Sequence, residues 1–450
     1  MRTTPPVPRP PAARGAGMIA EVLGLALATL LLGAVDASAR SWSLDQVIAV
    51  VRERDPGVGA ARASADADRA RAAGHWAMLA PQVTASAGFT RTDDPAVLFS
   101  QKLWQGRFEA ADFAIDRLNQ PGPRSALQVG IAVDQPLWNG GRELAAPALG
   151  AHYRRAATTM ERAQIADRLL DAVEAYVDVV RAGGAARSAG LALDAASAMR
   201  GAAVERFRAG QAPELDTLRA LARHSEARVR LASARQGLAV AADRLSRLVQ
   251  APVEPESLVV ADDPGAEPEA PAGGRGELAA AREGAAAART ESRLAALRLL
   301  PSLNSHLAVT QYRPYDTGRY RPRWLVALSA DFPVFDGARR LNEWRAARAR
   351  ADAAQATAQQ VERDLAIGLH AARIETSVAR ERREAARAGR AAAEETLRFA
   401  TLRYRAGLLP LTDLLATDAE ASASRASDTE ASTEVTLAHY RLLHAMGELR

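Results

Sequence analysis

The sequence predicts a mainly helical chain with a small membrane-type β part, built as two tandem copies of one unit. Three observations predict it. Motifs recur at a constant offset, four short stretches alternate apolar and other residues, and two long stretches consist mostly of strong helix formers.

The repeat comes first, because a fixed internal period changes every later assignment. Asp134-Gln-Pro136-Leu-Trp-Asn139-Gly140-Gly-Arg142 matches Asp331-Phe-Pro333-Val-Phe-Asp336-Gly337-Ala-Arg339, and Pro136 and Pro333 stand 197 residues apart. Arg206-Phe207-Arg208-Ala-Gly210-Gln-Ala-Pro213-Glu-Leu-Asp216 matches Arg403-Tyr404-Arg405-Ala-Gly407-Leu-Leu-Pro410-Leu-Thr-Asp413, again at an offset of 197. An ungapped register between the two motifs calls for a rigid element, since a loop would tolerate insertions. Upstream, Pro81 and Pro301 match at an offset of 220, so the first copy holds 23 extra residues between Pro81 and Pro136. The domains expected are residues 40–250 and 277–450, joined by a Pro-, Glu-, Ala- and Gly-rich linker over 251–276 with a short strand at Leu258–Val260.

Each unit reads as helix, strand, loop, strand, very long helix, tight turn and helix. Strands are expected at Gln82–Thr90 and Leu127–Asp134. In the second copy, Leu303, Leu307 and Val309 form one alternating set, and Trp324, Val326, Leu328, Ala330 and Phe332 another. Period two is the strand signature, and the length and one-sided apolarity fit membrane-barrel strands of about 9–11 residues. Amphipathic strands of a soluble sheet carry the same pattern. From Arg142 to Arg208 and from Arg339 to Arg405 the chain is dominated by Ala, Arg, Glu and Leu. Pro147 is expected in the opening turn of the first stretch, where proline is tolerated. Such helices, roughly 100 Å long at 1.5 Å per residue, need a partner, and Leu231, Leu238 and Leu245 recur every seven residues on the returning helix.

Gly210 and Gly407 follow basic residues at the helix ends, where glycine supplies a left-handed cap. Pro213 and Pro410 begin the return, and Asp216 and Asp413 fall in its first turn, where the helix dipole favours a carboxylate. Capping alone accounts for these residues; their place at the end of long hairpins makes them candidates for function.

The N-terminus is a separate matter. Arg2, Arg9 and Arg14 precede an apolar run from Val22 to Val35 and then Ala37-Ser38-Ala39, the pattern of a cleaved signal peptide over residues 1–39. That run falls short of the roughly 20 residues of a membrane helix, and no later segment is expected to be a transmembrane helix. The absence of cysteine excludes disulfides, thiolate chemistry and a lipid-modified N-terminal cysteine. The formal net charge of +5 comes from arginine, Lys102 being the one lysine. These arginines alternate with Ala and Glu at helical spacing, which reads as solvated helix faces and not as a nucleic-acid surface. The seven histidines show no metal-ligand spacing, and no phosphate loop, nucleophile elbow or GxGxxG is present. No cofactor, metal or enzymatic activity is expected.

In the order and spacing of these motifs the sequence resembles the TolC-like outer-membrane efflux proteins. The resemblance rests on the Pro81 and Pro301 junctions, on Gln135-Pro136-Leu137-Trp138-Asn139-Gly140-Gly141-Arg142, and on Arg403-Tyr404-Arg405-Ala406-Gly407 through Asp413-Leu414-Leu415. It implies a homotrimer in which four strands per chain complete a 12-stranded outer-membrane barrel above a periplasmic α-helical barrel of coiled-coil hairpins. It further implies a passive exit duct for a tripartite efflux or type I secretion system of a Gram-negative bacterium. Its partners would be a periplasmic adaptor protein, an inner-membrane transporter and outer-membrane lipid. The tip residues Arg206, Phe207, Arg208, Gly210, Pro213, Asp216, Arg403, Tyr404, Arg405, Gly407, Pro410 and Asp413 would then serve adaptor contact and gating, with charge pairs from Arg403 or Arg405 to acidic tip residues holding the closed state. Pro136, Gly140, Arg142, Pro333, Gly337 and Arg339 would mark the strand-to-helix junctions. An acidic ring of the family would fall at Ala416 and is missing here. The loop from Arg91 to Ala126 would face outside the cell. Independently of the resemblance, four strands cannot close a barrel, and open edges are not tolerated in lipid.

The rival reading is a soluble periplasmic coiled-coil adaptor or scaffold; a third keeps the fold but exports protein in place of small solutes. Extraction separates the first two. An outer-membrane channel is expected to leave the membrane fraction only with detergent and to run as a heat-modifiable trimer on gels, whereas a scaffold appears in the soluble fraction.

Overall fold

The computed structural model describes residues 42–77, 80–106, 108–255, 258, 275–314 and 322–449. The expected signal peptide lies outside the described residues, as do Val259 and Val260; Leu258 forms a single parallel bridge to Trp42.

Helices α1 (Leu44–Arg54) and α2 (Pro56–Ala77) lead into strand β1 (Gln82–Thr92). Helix α3 (Pro95–Gln105), a 3-10 turn (Ala110–Phe113) and helix α4 (Ile115–Asn119) separate β1 from β2 (Arg124–Asn139). The first hairpin follows as α5 (Arg142–Arg208) and α6 (Glu214–Val249). The second copy runs α7 (Gly276–Leu297), β3 (Ser302–Pro314), β4 (Pro322–Asp331), α8 (Arg339–Arg405) and α9 (Leu411–Met446). Both long helices have 67 residues and both return helices 36. The expected bounds of the long helices are therefore met at both ends. Pro147, however, is the sixth residue of α5 and so lies inside the helix, one turn deeper than expected.

The strands form one antiparallel sheet in the order β1-β2-β3-β4, so β1 and β4 are its edges. Register and alternation divide its side chains between two faces. Val83, Phe89, Val129, Ile131, Leu307, Val309, Trp324, Val326 and Leu328 share one face and are all exposed, Trp324 to 76%. The opposite face carries small and polar groups such as Thr84, Gly130, Thr310 and Ser329, with His306 Nδ1 2.6 Å from Asp134 Oδ1. The strands exceed the expected ranges. β1 reaches Thr92, and β2 starts three residues early and runs five residues past Asp134, through Pro136. A register shift between Pro136 and Trp138 makes this possible: at a bulge, proline's missing N–H removes no ladder bond. In the second copy β4 stops at Asp331, so Phe332 lies beyond the sheet.

The helices pack in one continuous layer. α5 lies against α6, α2, α7 and α9, while α8 lies against α9 and α7, so that α7 bridges the two long helices. The largest core is a belt near mid-length. Leu44, Val47 and Val51 of α1 pack there on Leu169, Val173, Tyr176 and Val179 of α5 and on Leu245 and Val249 of α6. Leu245 is fully buried and Leu238 partly so, as the seven-residue spacing implied. Near the same level Arg441 of α9 donates to Glu375 of α8 at 2.9 Å and to Glu174 of α5 at 3.1 Å, tying three helices together. No helix among the described residues is long and apolar enough to cross a membrane.

Gly184 sets the closeness of α5 and α9. A Cβ there would collide with the Thr429 side chain, so this mid-helix glycine serves close approach and does not interrupt the helix. Gly184→Val is expected to force the helices apart at a cost of about 1–3 kcal/mol, visible as a lower melting temperature. Gly190→Ala, with nothing within 4 Å of the added atom, should leave stability unchanged or raise it.

Candidate functional site: the hairpin tips and the strand-to-helix junctions

Both tips are built the same way from the backbone up. After α5, Gly210 stands at φ +70°; its N–H donates to Phe207 O at 2.9 Å and the Gln211 N–H to Arg206 O at 2.8 Å. After α8, Gly407 stands at φ +75°, with Gly407 N–H to Tyr404 O at 3.0 Å and Leu408 N–H to Arg403 O at 2.9 Å. Each is the paired-bond cap that satisfies the last carbonyls of a helix and needs a left-handed residue. Pro213 and Pro410 are the residues immediately before the return helices, in extended conformation, and Asp216 and Asp413 are the third residues of those helices.

The four helix ends share one apolar cluster. Met199 and Ala203 of α5, Ala220 of α6, Ala400 and Tyr404 of α8, and Leu411 and Leu414 of α9 are all buried together. The tips are therefore packed against each other within one chain. A polar contact crosses the same junction: the Arg206 guanidinium lies 5.0 Å from the centre of the Tyr404 ring and donates from Nη1 to Tyr404 O at 3.3 Å. Arg208, Arg403, Arg405 and Asp413 are exposed, and among the described residues neither Arg403 nor Arg405 pairs with a carboxylate of its own chain. Within the chain the contact that crosses this junction is therefore Arg206 on Tyr404. Phe207, the repeat counterpart of the buried Tyr404, is 43% exposed.

A second link between the hairpins is not among the sequence expectations. Arg223 of α6 donates to Asp418 of α9 at 3.2 Å, and Asp418 is 1% exposed. Asp418 Oδ1 and the Ser422 Oγ one turn further on are buried with no partner among the described residues. The signal was present: Leu411, Leu414, Asp418 and Ala421 form a three-four-three apolar seam, all buried, interrupted by one acid. A polar residue in such a seam fixes register and partner at a cost in stability. Lower on the second hairpin, Arg425 and then Arg390 hold the Glu394 carboxyl below the usual carboxylate range, at 2.9 and 3.1 Å.

At the other end of the long helices the two junctions differ. Gly140 and Gly141 are both left-handed, and a Cβ on Gly140 would sit 2.6 Å from Leu297 O. Arg142, the first residue of α5, donates back to Asn139 O at 2.9 Å, and burial together with the nearby Arg298 and Arg340 lowers its pKa. Pro136 lies inside β2, and so is not itself at the junction. Pro333 does stand in the connecting segment, followed by Gly337 at φ +67° and Ala338 at φ +63°, with Arg339 opening α8. Among the described residues no group of His, Cys, Asp and Glu is arranged to hold a metal ion.

Breaking the Arg223–Asp418 pair leaves a guanidinium in a site built for a counter-charge. Asp418→Ala is expected to cost about 3 kcal/mol, measured as a fall in melting temperature in detergent. Asp413→Ala, at an exposed position, should change it far less.

Residues 272–448 match the family model described as Outer membrane efflux protein. No curated protein matches the chain in sequence. Solved structures match across 90% of the chain. The Campylobacter jejuni CmeC outer membrane channel does so at 15% identity, 85% of its own length and a TM-score of 0.76. The Vibrio cholerae outer membrane protein VceC gives 17%, 96% and 0.72, and the open state of the Neisseria gonorrhoeae MtrE outer membrane channel 18%, 89% and 0.71. The chain thus has the fold of these outer-membrane channels, and its second half matches the efflux-protein family model.

Proposed function

We propose that this chain is one subunit of a homotrimeric outer-membrane exit duct, starting from the efflux domain at residues 272–448 and a channel fold throughout. The single observation that carries it is the sheet: its apolar face is uncovered, its other face is polar, and both edges are open. Lipid is the solvent that suits the first face, water the second, and only further copies of the sheet can satisfy the edges. The apolar face also disfavours a soluble adaptor or scaffold. With a signal peptide at 1–39 and two repeats over 40–250 and 277–450, the helices then extend into the periplasm.

The helical layer supports the same closure. Within one chain α5 packs on α9; the repeat equivalent of that contact is α8 on α6, and these two helices have no such packing within the chain. Their outward sides carry exposed apolar residues, Leu218, Val229 and Val240 at an eleven-residue spacing on α6, and Ile367, Ile374 and Phe399 on α8. By the same repeat, Arg403 and the exposed Phe207 are the unmatched halves of the Arg206–Tyr404 contact, and they meet between neighbouring copies. Three internal and three intermolecular copies of this contact make a ring at the tip that holds the closed state. The exposed Leu215 and Leu408 are the surface offered to a periplasmic adaptor, which couples the duct to an inner-membrane transporter. Conduction is passive and needs no cofactor or catalytic residue.

Because the chain lacks cysteine, the ring can be tested directly. Phe207→Cys combined with Arg403→Cys is expected to oxidise to covalent trimers and to keep conductance in planar bilayers low until reduced. Arg206→Ala with Tyr404→Ala should raise conductance. Only covalent monomers, or a water-soluble protein that inserts no pores, would overturn the reading.

A further inference from the structure

The segment between β1 and β2 is the part of the chain that the channel reading leaves unused. It is a folded piece with its own determinants. The Asp94 side chain accepts from Ala96 N and Val97 N at 2.9 and 3.2 Å to start α3, and Gly106 at φ +64° ends it. Phe99, Phe108 and Phe113 form a ring cluster with centres 4.8 to 6.5 Å apart, and Lys102 pairs with Asp112.

Its seat on the sheet is defined by register. Trp104 packs on Tyr312 with ring centres 4.6 Å apart and planes tilted by 33°, and Arg323 donates to Leu103 O and Trp104 O, both at 2.9 Å, covering the negative end of α3. Tyr312 alternates with Gln311 and Arg313, and pairs with Gln128; Arg323 pairs with Thr310. Both therefore belong to the polar face. Leu98 and Gln101 of α3 are buried, as is Ala126 on that same face of β2. The helix thus lies on the face that the barrel turns inward, at the end of the sheet away from α5. Val97 and Leu103 remain exposed on it, as do Phe113 in the 3-10 turn and Ile115 in α4, Ile115 to 74%.

We propose that residues 93–123 are an inward-seated cap. On closing the sheet edges, three caps converge over the outer mouth of the duct, where their exposed apolar side chains meet those of the other two copies and form a second constriction, independent of the tip. The pins are Trp104 on Tyr312 and Arg323 on the α3 carbonyls; releasing them opens the mouth. This rests on the outer-membrane duct proposed above.

Labelling of intact cells tests it in the full chain, with Ala308→Cys on the polar face below the cap and Asp116→Cys in α4 on its outside. A small sulfonated maleimide is expected to reach both, whereas a bulky polyethylene-glycol maleimide should reach Asp116→Cys but label Ala308→Cys slower by an order of magnitude or more. Adding Arg323→Ala and Trp104→Ala should remove that difference. The cap is overturned if the bulky reagent labels Ala308→Cys as fast as Asp116→Cys in the otherwise unaltered chain. It is also overturned if replacing residues 95–121 with a short Gly-Ser turn leaves the bulky reagent excluded. The first of these needs no pin variant and so holds even where one fails to fold. Failure of either maleimide to reach Asp116→Cys from outside would instead overturn the outer-membrane reading, and the cap with it.

Discussion

The edge strands β1 and β4 each present a row of backbone N–H and C=O groups that no strand of the same chain satisfies. In a medium without water every such group costs several kcal/mol, so the sheet is stable in lipid only when other copies extend it into a closed ring. The rest of the molecule follows from that closure. A sheet that must curve needs its strands staggered; Ser302 of β3 pairs with Asn139 on one side and Asp331 on the other, although Asp134 and Asp331 are the repeat equivalents. The bulge at Pro136 falls within that offset. In the proposed duct the helices that leave the strands take up the same circular arrangement, which would cover the apolar residues that α6 and α8 expose in a single chain.

Much of this was legible in the sequence because the long helices are governed by local rules. Alanine, arginine, glutamate and leucine set the helix, and Gly210, Pro213, Gly407 and Pro410 set its end, so the expected and observed bounds coincide. The repeat was legible for the same reason, since equal lengths leave an unbroken offset. Where long-range structure decides, local reading failed. Pro136 looked like a boundary, yet β3 pairs on both sides of it and carries the strand through to Asn139. Pro147 reads as a first-turn proline because it is tolerated there, yet with the helix starting at Arg142 as expected it is the sixth residue and lies inside.

The tip residues divide along the same line. Gly210 and Gly407 act through their own backbone, and the sequence suffices for them. Tyr404 and Phe207 occupy equivalent positions in the repeat, but one is buried and the other exposed. Only the placement of one hairpin against the other separates them. Asp418, an acid near alanines and arginines, resembles a residue of a solvated face; its burial follows from the helices packed on α9 and from Arg223 reaching across from α6. The connection between β1 and β2 read as a loop since α3 and α4 are short. Its docking rests on Tyr312 and Arg323, more than 200 residues away in the chain.

The equal lengths of the two hairpins, 67 and 36 residues in each, bear on how such a chain can change over generations. One residue inserted in a single helix would advance that tip by about 1.5 Å and turn every later side chain by about 100°, tilting one rim position against the others. A longer or shorter version therefore requires matched edits in both halves, in whole turns. Single small deletions are filtered out, and the reach of the molecule is inherited as a near-constant.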